Sequence, residues 1–356
     1  MTASLLSRRP AGIYKMNRMN ISSRRFHEKI IRNMKKIALL LPCGEVMGSA
    51  VVGPYAIFAE VNAFLAQRGQ PPAFKVELVG CKRVPSFSEG AFRVQPHCLL
   101  EHASGYDMAI VPGFTSEAES MLAANQPLIG WLKQQYEMHG TELASLCSGA
   151  FFIAATGLAN GKKCTTHWAY AAEFRARFPK VNLLADRIVT DDGGIYASGG
   201  AYSSLNLVLY LLEKFCGKTA AVWAAKVFQI DLHRTSQKPF VIFNNQKSHT
   251  DEAISQAQEY IEQHYQERLS ISALASRFAF SRRNFLRRFK EATGNTPIEY
   301  LQRVRVEAAK RLLENSPGNI GEVVAATGYS DVKTFRLLFK KYTGFSPTGY
   351  RNRYRV

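Results

Sequence analysis

The chain of 356 residues has no window of about 18 consecutive apolar residues, which excludes a recognisable membrane span. Its apolar run Ile37–Leu41, after Met34-Lys35-Lys36, stops at Pro42 and is shorter than the ~7–15 residues a secretion signal needs. A lipid-anchored Cys43 fails because Pro42 stands where a small residue is required, so a buried strand is expected there. No C-x-x-C pair occurs among Cys43, Cys81, Cys98, Cys147, Cys164 and Cys216, and their spacing suits neither a zinc ribbon nor a disulfide framework. A reducing cytoplasm fits such cysteines, and no cofactor is expected. His97 and His102 flank Cys98, but in a spacing poor for a metal, so no metal is expected either. The composition, 46% hydrophobic and 21% charged, excludes wholesale disorder.

Acidic residues are scarce, 28 against 46 basic, and the resulting charge of +18 is unevenly placed. Residues 1–34 hold 8 basic and 1 acidic, residues 35–245 hold 19 and 16, and residues 246–356 hold 19 and 11. The middle is nearly balanced and the last third is basic, which points that third at a polyanion. At about 150 residues per domain, two domains are expected. Residues 1–33, with Arg8, Arg9, Arg18, Arg24, Arg25 and Arg32, are polar and aperiodic. They read as a basic disordered arm, or as upstream sequence if translation starts at Met34.

From residue 35 to 230 the pattern alternates strand and helix. Lys36–Leu41, Phe74–Val79, Tyr106–Val111, Glu142–Leu146 and Ile195–Ser198 read as strands, with a further strand pair over Asn182–Thr190. Gly53–Ala66, Leu128–Met138, Phe151–Leu158, His167–Phe178 and Leu205–Phe215 read as helices between them. Repeated βα units predict an α/β fold with a doubly wound, mostly parallel, flavodoxin-like sheet. Ser145-Leu146-Cys147-Ser148-Gly149 has the form of a nucleophile elbow, a tight strand-to-helix turn that needs small neighbours. A helix N-terminus beside the sulfur is expected to lower the thiol pKa. Trp168, Tyr170, Tyr202 and Trp223 could build an aromatic pocket for a quaternary ammonium, although core packing is the plainer reading.

Residues 231–250, around Arg234-Thr235-Ser236-Gln237-Lys238-Pro239, read as a linker, and residues 251–356 as an all-helical domain with an internal repeat. Thr293-Gly294-Asn295-Thr296-Pro297 and Tyr300 recur as Thr343-Gly344-Phe345-Ser346-Pro347 and Tyr350, and Phe285 and Phe289 recur as Phe335 and Phe339. In each copy a short helix (Ile271–Phe278; Ile320–Thr327) meets a turn and a second helix (Arg282–Ala292; Val332–Tyr342), with Ser281 or Ser330 able to cap the latter. The helix Ile298–Glu314 joins the two units and buries Leu301, Val304, Ala308, Leu312 and Leu313. Opposite the phenylalanines, copy one presents Arg283 and Arg287 with Arg282, Asn284 and Arg288; copy two presents Lys333, Thr334 and Arg336, with Leu337 in the place of Arg287. An arginine stripe suits guanine in a major groove, and the leucine suits thymine methyls.

These residues carry two resemblances. Residues 251–356 resemble the DNA-binding domain of the AraC/XylS family in the G-x-[ST]-P-x-x-Y element after each second helix and in the linking helix's Ala308-Ala309-Lys310-Arg311-Leu312-Leu313. The resemblance implies two helix-turn-helix units entering successive major grooves of promoter DNA, with RNA polymerase as a further partner. Residues 35–230 resemble the PfpI-like branch of the class I glutamine-amidotransferase-like superfamily in the elbow, in Asp107–Gly113, in Thr165-Thr166-His167 and in Ser198-Gly199-Gly200. It implies one pocket, for which the candidates are Cys147, Ser148, Gly113, His167, Gly199 and Gly200. Two departures matter: catalytic relatives carry histidine where this chain has Ser148, and the loop acid falls on Ala50, with Glu45 the nearby carboxylate. A thiol without a positioned base lacks what catalysis needs, so no catalytic residue is expected. The combined resemblance implies a homodimeric cytoplasmic regulator of activator type, sensing a small effector such as an amino acid or a quaternary amine. The alternative is a cysteine-dependent hydrolase or hydratase with a DNA-binding tail.

Overall fold

The computed structural model describes residues 34–82, 86–87, 90–244, 246–247, 249–316 and 318–355; the basic arm expected over 1–33 lies outside them. Strand β1 (Lys35–Leu41) is continuously apolar after its two lysines because both faces are covered. Ile37, Leu39 and Leu41 enter one core and Ala38 and Leu40 the other, as the period of two requires. The first core is closed by α1 (Ser49–Gln67), whose long apolar face meets the sheet through Ile57, Phe58 and Val61. This 19-residue helix has the length and composition to cross a membrane, although Glu60 and Asn62 interrupt its apolar residues. Its apolar side is spent on the sheet while Glu60 faces solvent, so it is a core helix.

Next come β2 (Phe74–Gly80), the small antiparallel pair β3 (Ser86–Phe87) and β4 (Phe92–Arg93), β5 (Cys98–Leu99), and β6 (Met108–Val111). Helices α2 (Ala118–Ala124) and α3 (Gln126–His139) cover the second face and lead to β7 (Glu142–Ser145) and α4 (Ala150–Ala155). Helix α4 is shorter than Phe151–Leu158, because the chain turns at Gly157 with a φ of +80°. β8 (Lys163–Cys164) pairs with β9 (Asn182–Leu183) outside the main sheet. The helix expected over His167–Phe178 begins as a 3-10 turn at Trp168–Tyr170 and becomes α5 (Ala171–Arg177), since His167 Nδ1 caps the turn by accepting from the Ala169 N–H at 3.0 Å. β10 (Val189–Asp192) and β11 (Ile195–Ser198) form the antiparallel edge, before α6 (Leu205–Cys216) and α7 (Lys218–Val227) complete the first core. The seven-stranded sheet runs β10-β11-β7-β6-β1-β2-β5 and is parallel except at β10. The α/β, doubly wound reading holds.

The C-terminal part is helical throughout: α8 (Glu252–Gln263), α9 (Ile271–Arg277), α10 (Arg282–Thr293), α11 (Pro297–Asn315), α12 (Ile320–Ala326), α13 (Val332–Thr343) and α14 (Pro347–Tyr354). Each repeat owns a core, one around Phe285, Phe289 and Tyr300, the other around Phe335, Phe339 and Tyr350. Helix α11 serves both, giving Tyr300 and Val304 to the first and Val306, Ala309 and Leu313 to the second. Leu301 and Leu312 are half-buried at its sides.

Ser281 caps α10 by accepting from the Asn284 N–H at 3.3 Å, as expected. In copy two the cap is Asp331 rather than Ser330: the extra residue in that turn moves the capping position by one, and Asp331 accepts from the Thr334 N–H.

Asp251 caps α8 through the Ile254 N–H and holds Arg288 of α10 with bonds of 2.9 and 2.8 Å. Partial burial works against the carboxylate, yet Arg288 and the helix N–H outweigh it and hold its pKa below the ordinary range. The contribution is therefore present above the usual carboxylate pKa and is lost as pH falls through the lowered folded value. Asp251→Ala is expected to cost about 1–2 kcal/mol at neutral pH, most of it the cap, since the pair is partly solvated. Urea midpoints of both proteins should converge in acid; an undiminished difference there would assign the effect elsewhere.

Candidate ligand site and nucleic-acid interface

At the end of β7 the chain makes the turn that the sequence suggests. Cys147 has a φ of +58°, outside the range side chains favour, and the residues after it form a 3-10 turn into α4. A Cβ on Gly149 would stand 2.5 Å from the Val111 carbonyl oxygen, and one on Gly113 2.8 Å from the Cys147 Cβ. Small residues are required at both places. Ser148 Oγ donates to the Phe114 carbonyl and accepts from the Phe114 N–H, both at 2.7 Å, so it ties the elbow to the loop after β6. Thr166 Oγ1 donates to the Cys147 carbonyl at 3.1 Å.

Gly199 and Gly200 follow β11 on the facing wall. The His167 ring lies so close that a Cβ on Gly200 would stand 1.5 Å from its Cδ2. Thus Cys147, Ser148, Gly113, His167, Gly199 and Gly200 do meet at the carboxyl end of the sheet. They meet as a packed cluster, with Cys147 only 1% exposed. A cleft of about 850 Å³ lies elsewhere, lined by Cys43, Cys81, Asn125, Trp131 and Gln135 among others, and includes none of the six.

The expected activation of the thiol is not found. Burial pushes the Cys147 thiol up and outweighs the backbone donors of Ala201 and Ser148 that favour the thiolate. Burial holds the His167 pKa below its usual value, and its Nδ1 accepts from the Ala169 N–H. Ala50, the residue expected at the place of the loop acid, is buried in the first turn of α1 rather than in a loop. The aromatic four do not gather: Trp223 stacks on Phe64 at 4.5 Å, and Tyr170 packs against Phe114 and Phe151. His97 Nδ1 accepts from the Leu78 N–H, His102 pairs with Glu101, and no metal-binding group of three ligands exists among the described residues.

Gln237 was not singled out by the sequence. Expected merely as linker, it is 2% exposed and sits against Gly199, whose Cβ would be 2.5 Å from its Cδ.

In the helical part, Arg282, Arg283 and Arg287 of α10 are exposed and Asn284 is half-buried, opposite the buried Phe285 and Phe289. Arg287 donates to Glu291 at 2.8 Å and to Asn284 Oδ1 at 3.0 Å. Arg288 leaves this face for Asp251 and the Phe280 ring. On α13, Lys333, Thr334 and Arg336 are exposed, and Leu337 is 65% exposed, an apolar side chain on a charged face.

Two capped helix-turn-helix units with basic outer faces, joined to an α/β domain with a nucleophile elbow, define a DNA-binding protein with a second functional domain. Residues 35–214 match the DJ-1/PfpI family and residues 274–353 match the helix-turn-helix domain family. The chain belongs to the DJ-1/PfpI family, and with its AraC-type C-terminal domain it is a transcriptional regulator of the AraC family that binds DNA. It is similar to the HTH-type transcriptional regulator ArgR of Pseudomonas aeruginosa, 25% identical over 67% of this chain and 72% of that protein. The HTH-type transcriptional regulator CdhR of the same organism is 23% identical over 87% of this chain and 89% of its own length. An isonitrile hydratase of Pseudomonas putida is 26% identical over 57% of this chain and 79% of that enzyme.

Proposed function

We propose that the chain is an effector-responsive, promoter-binding regulator: the α/β domain binds a small metabolite and the helical domain reads DNA through Arg282, Arg283, Asn284 and Arg287 in one groove and Lys333, Thr334 and Arg336 in the next. It acts in the cytoplasm as a homodimeric activator in contact with RNA polymerase. An amino acid and a quaternary amine are the two candidate classes of effector. The observation that carries the sensor reading over the enzyme reading is the state of Cys147: buried, with its thiol pushed up, and without an imidazole or carboxylate bonded to it among the described residues.

Cys147→Ser keeps the size of the side chain and removes the good nucleophile, so it is expected to keep effector-dependent promoter activation within a few-fold. Cys147→Trp fills the cluster and is expected to abolish the response while DNA binding persists. A reporter assay with both variants, using effectors found by thermal shift of the full chain against amino acids and quaternary amines, decides the matter. Loss of response in a well-folded serine variant, with a covalent adduct on wild-type Cys147 by mass spectrometry, would establish the hydrolase or hydratase reading instead.

A further inference from the structure

The side chain of Gln237 is bonded at both ends of its carboxamide. Its Oε1 accepts from the N–H groups of Gly200 at 3.2 Å and Trp168 at 3.3 Å. Its Nε2 faces the carbonyl oxygens of Thr166 at 2.9 Å, Ala185 at 3.0 Å and Arg187 at 2.9 Å, with Thr165 Oγ1 at 3.4 Å. Two donors on one side and several acceptors on the other match a primary carboxamide atom for atom; a carboxylate would set an anionic oxygen against three carbonyls. Gly199 leaves the space in which the group lies, and the contacts come from the segments around His167 and Gly200 and from Ala185 and Arg187 before β10. Most of the recognition is made by backbone groups fixed in the fold, so the site recognises the amide rather than the residue that bears it.

The segment bearing Gln237 also reaches the DNA-binding half. Its own N–H donates to the Asp186 carbonyl at 2.8 Å, on the α/β side. Directly after it, Lys238 and Pro239 lie 3.8 Å from where a Cβ on Gly344, the residue capping α13, would stand. The Val241 carbonyl accepts from Lys310 of α11, and Phe243 packs into the core around Tyr300. Gln237 is thus the buried fastening of the strap, beside more exposed ones: the Thr235 carbonyl accepts from the Ile188 N–H at 3.2 Å, Ser236 forms a β-bridge with Arg187, and Lys238 pairs with Asp186 at 3.3 Å.

We propose that this is a carboxamide-binding site of the α/β domain, occupied in cis by Gln237, and that a small molecule bearing a primary carboxamide takes the same place and releases the strap. The proposal rests on the sensor reading for its biological use, but its test needs neither DNA nor an activation assay. A tethered side chain competes at an effective concentration of order millimolar or above, so a free amide must be supplied well beyond that to displace it.

The experiment uses the full chain and propionamide, with propionate as the anionic control. Gln237→Ala empties the site and lowers the melting temperature; propionamide is expected to raise it again by several degrees, with a much smaller effect on wild type and none from propionate. The Lys238–Pro239 bond resists trypsin, so trypsin gives a second readout on the wild-type protein at the Arg234–Thr235 bond, three residues before Gln237. Cleavage there should be slow, several-fold faster in concentrated propionamide, and unchanged in propionate. This arm also stands if Gln237→Ala fails to fold. No rescue of a folded Gln237→Ala, equal rescue by propionate, or linker cleavage indifferent to propionamide would overturn the proposal. Rescue and amide-dependent cleavage would establish the site even if no amino acid or quaternary amine altered promoter activation, so the site and the sensor reading fail separately.

Discussion

Replacing Arg283 and Arg287 together by alanine is expected to cost about 2–6 kcal/mol of affinity for DNA selected by the wild-type chain from random sequence, at about 1–3 kcal/mol for each base-reading arginine. Both side chains are exposed on α10, four residues apart and thus on one face, with Phe285 and Phe289 buried behind them. Removing them leaves the core untouched, so stability should change little. Specificity should fall together with affinity, because bidentate contacts to guanine discriminate between bases whereas phosphate contacts do not. Lys333→Ala on α13 should cost less and act nearly equally on specific and non-specific DNA. Competition binding at fixed salt separates these outcomes; full specific affinity in the double variant would remove α10 from the base-reading role.

The second large effect contrasts two residues on one helix. Phe335 is fully buried beside Phe339 and Tyr329, with ring centroids 5.6 and 5.5 Å away, whereas Leu337 is 65% exposed. Phe335→Ala is expected to cost about 3–5 kcal/mol and to melt the second helix-turn-helix unit, abolishing specific binding. The α/β half, whose cores share no residue with that unit, should keep its own transition. Leu337→Ala should leave stability within about 0.5 kcal/mol. It should nonetheless weaken binding to sites that carry thymine in the second groove. Calorimetry and binding on the same preparations check both; a destabilised Leu337→Ala would place that leucine in packing instead.

What could be read from the sequence follows from what local pattern encodes. A short continuous apolar run ending at Pro42 marked β1 as a strand covered on both faces, and the 50-residue offset between the copies marked the duplicated units. The elbow at Cys147 was legible because its tightness demands small neighbours, and Gly113 and Gly149 do stand against backbone and sulfur. The thiol pKa was not legible: a helix start is a local feature, but the burial that overrides it comes from walls distant in sequence. Arg288 looked like one more arginine of the DNA-facing stripe, and only the position of Asp251, 37 residues earlier, turns it inward. Gln237 left no signal, since a single polar residue in a Pro- and Lys-containing linker has no periodicity, and its partners are backbone groups of three separate segments.

Guanine-methylation and thymine-demethylation interference on one selected DNA site, with the wild-type chain and with Arg283→Ala/Arg287→Ala, bears most directly on the central claim that each helix-turn-helix unit reads its own groove. The account predicts interference in two successive major grooves about 10 base pairs apart on one face. Guanine N7 positions should dominate the groove read by α10 and thymine methyls the groove facing Leu337, and the double variant should lose the guanine signals alone. Interference confined to one groove, or guanine signals unchanged in the double variant, would contradict it.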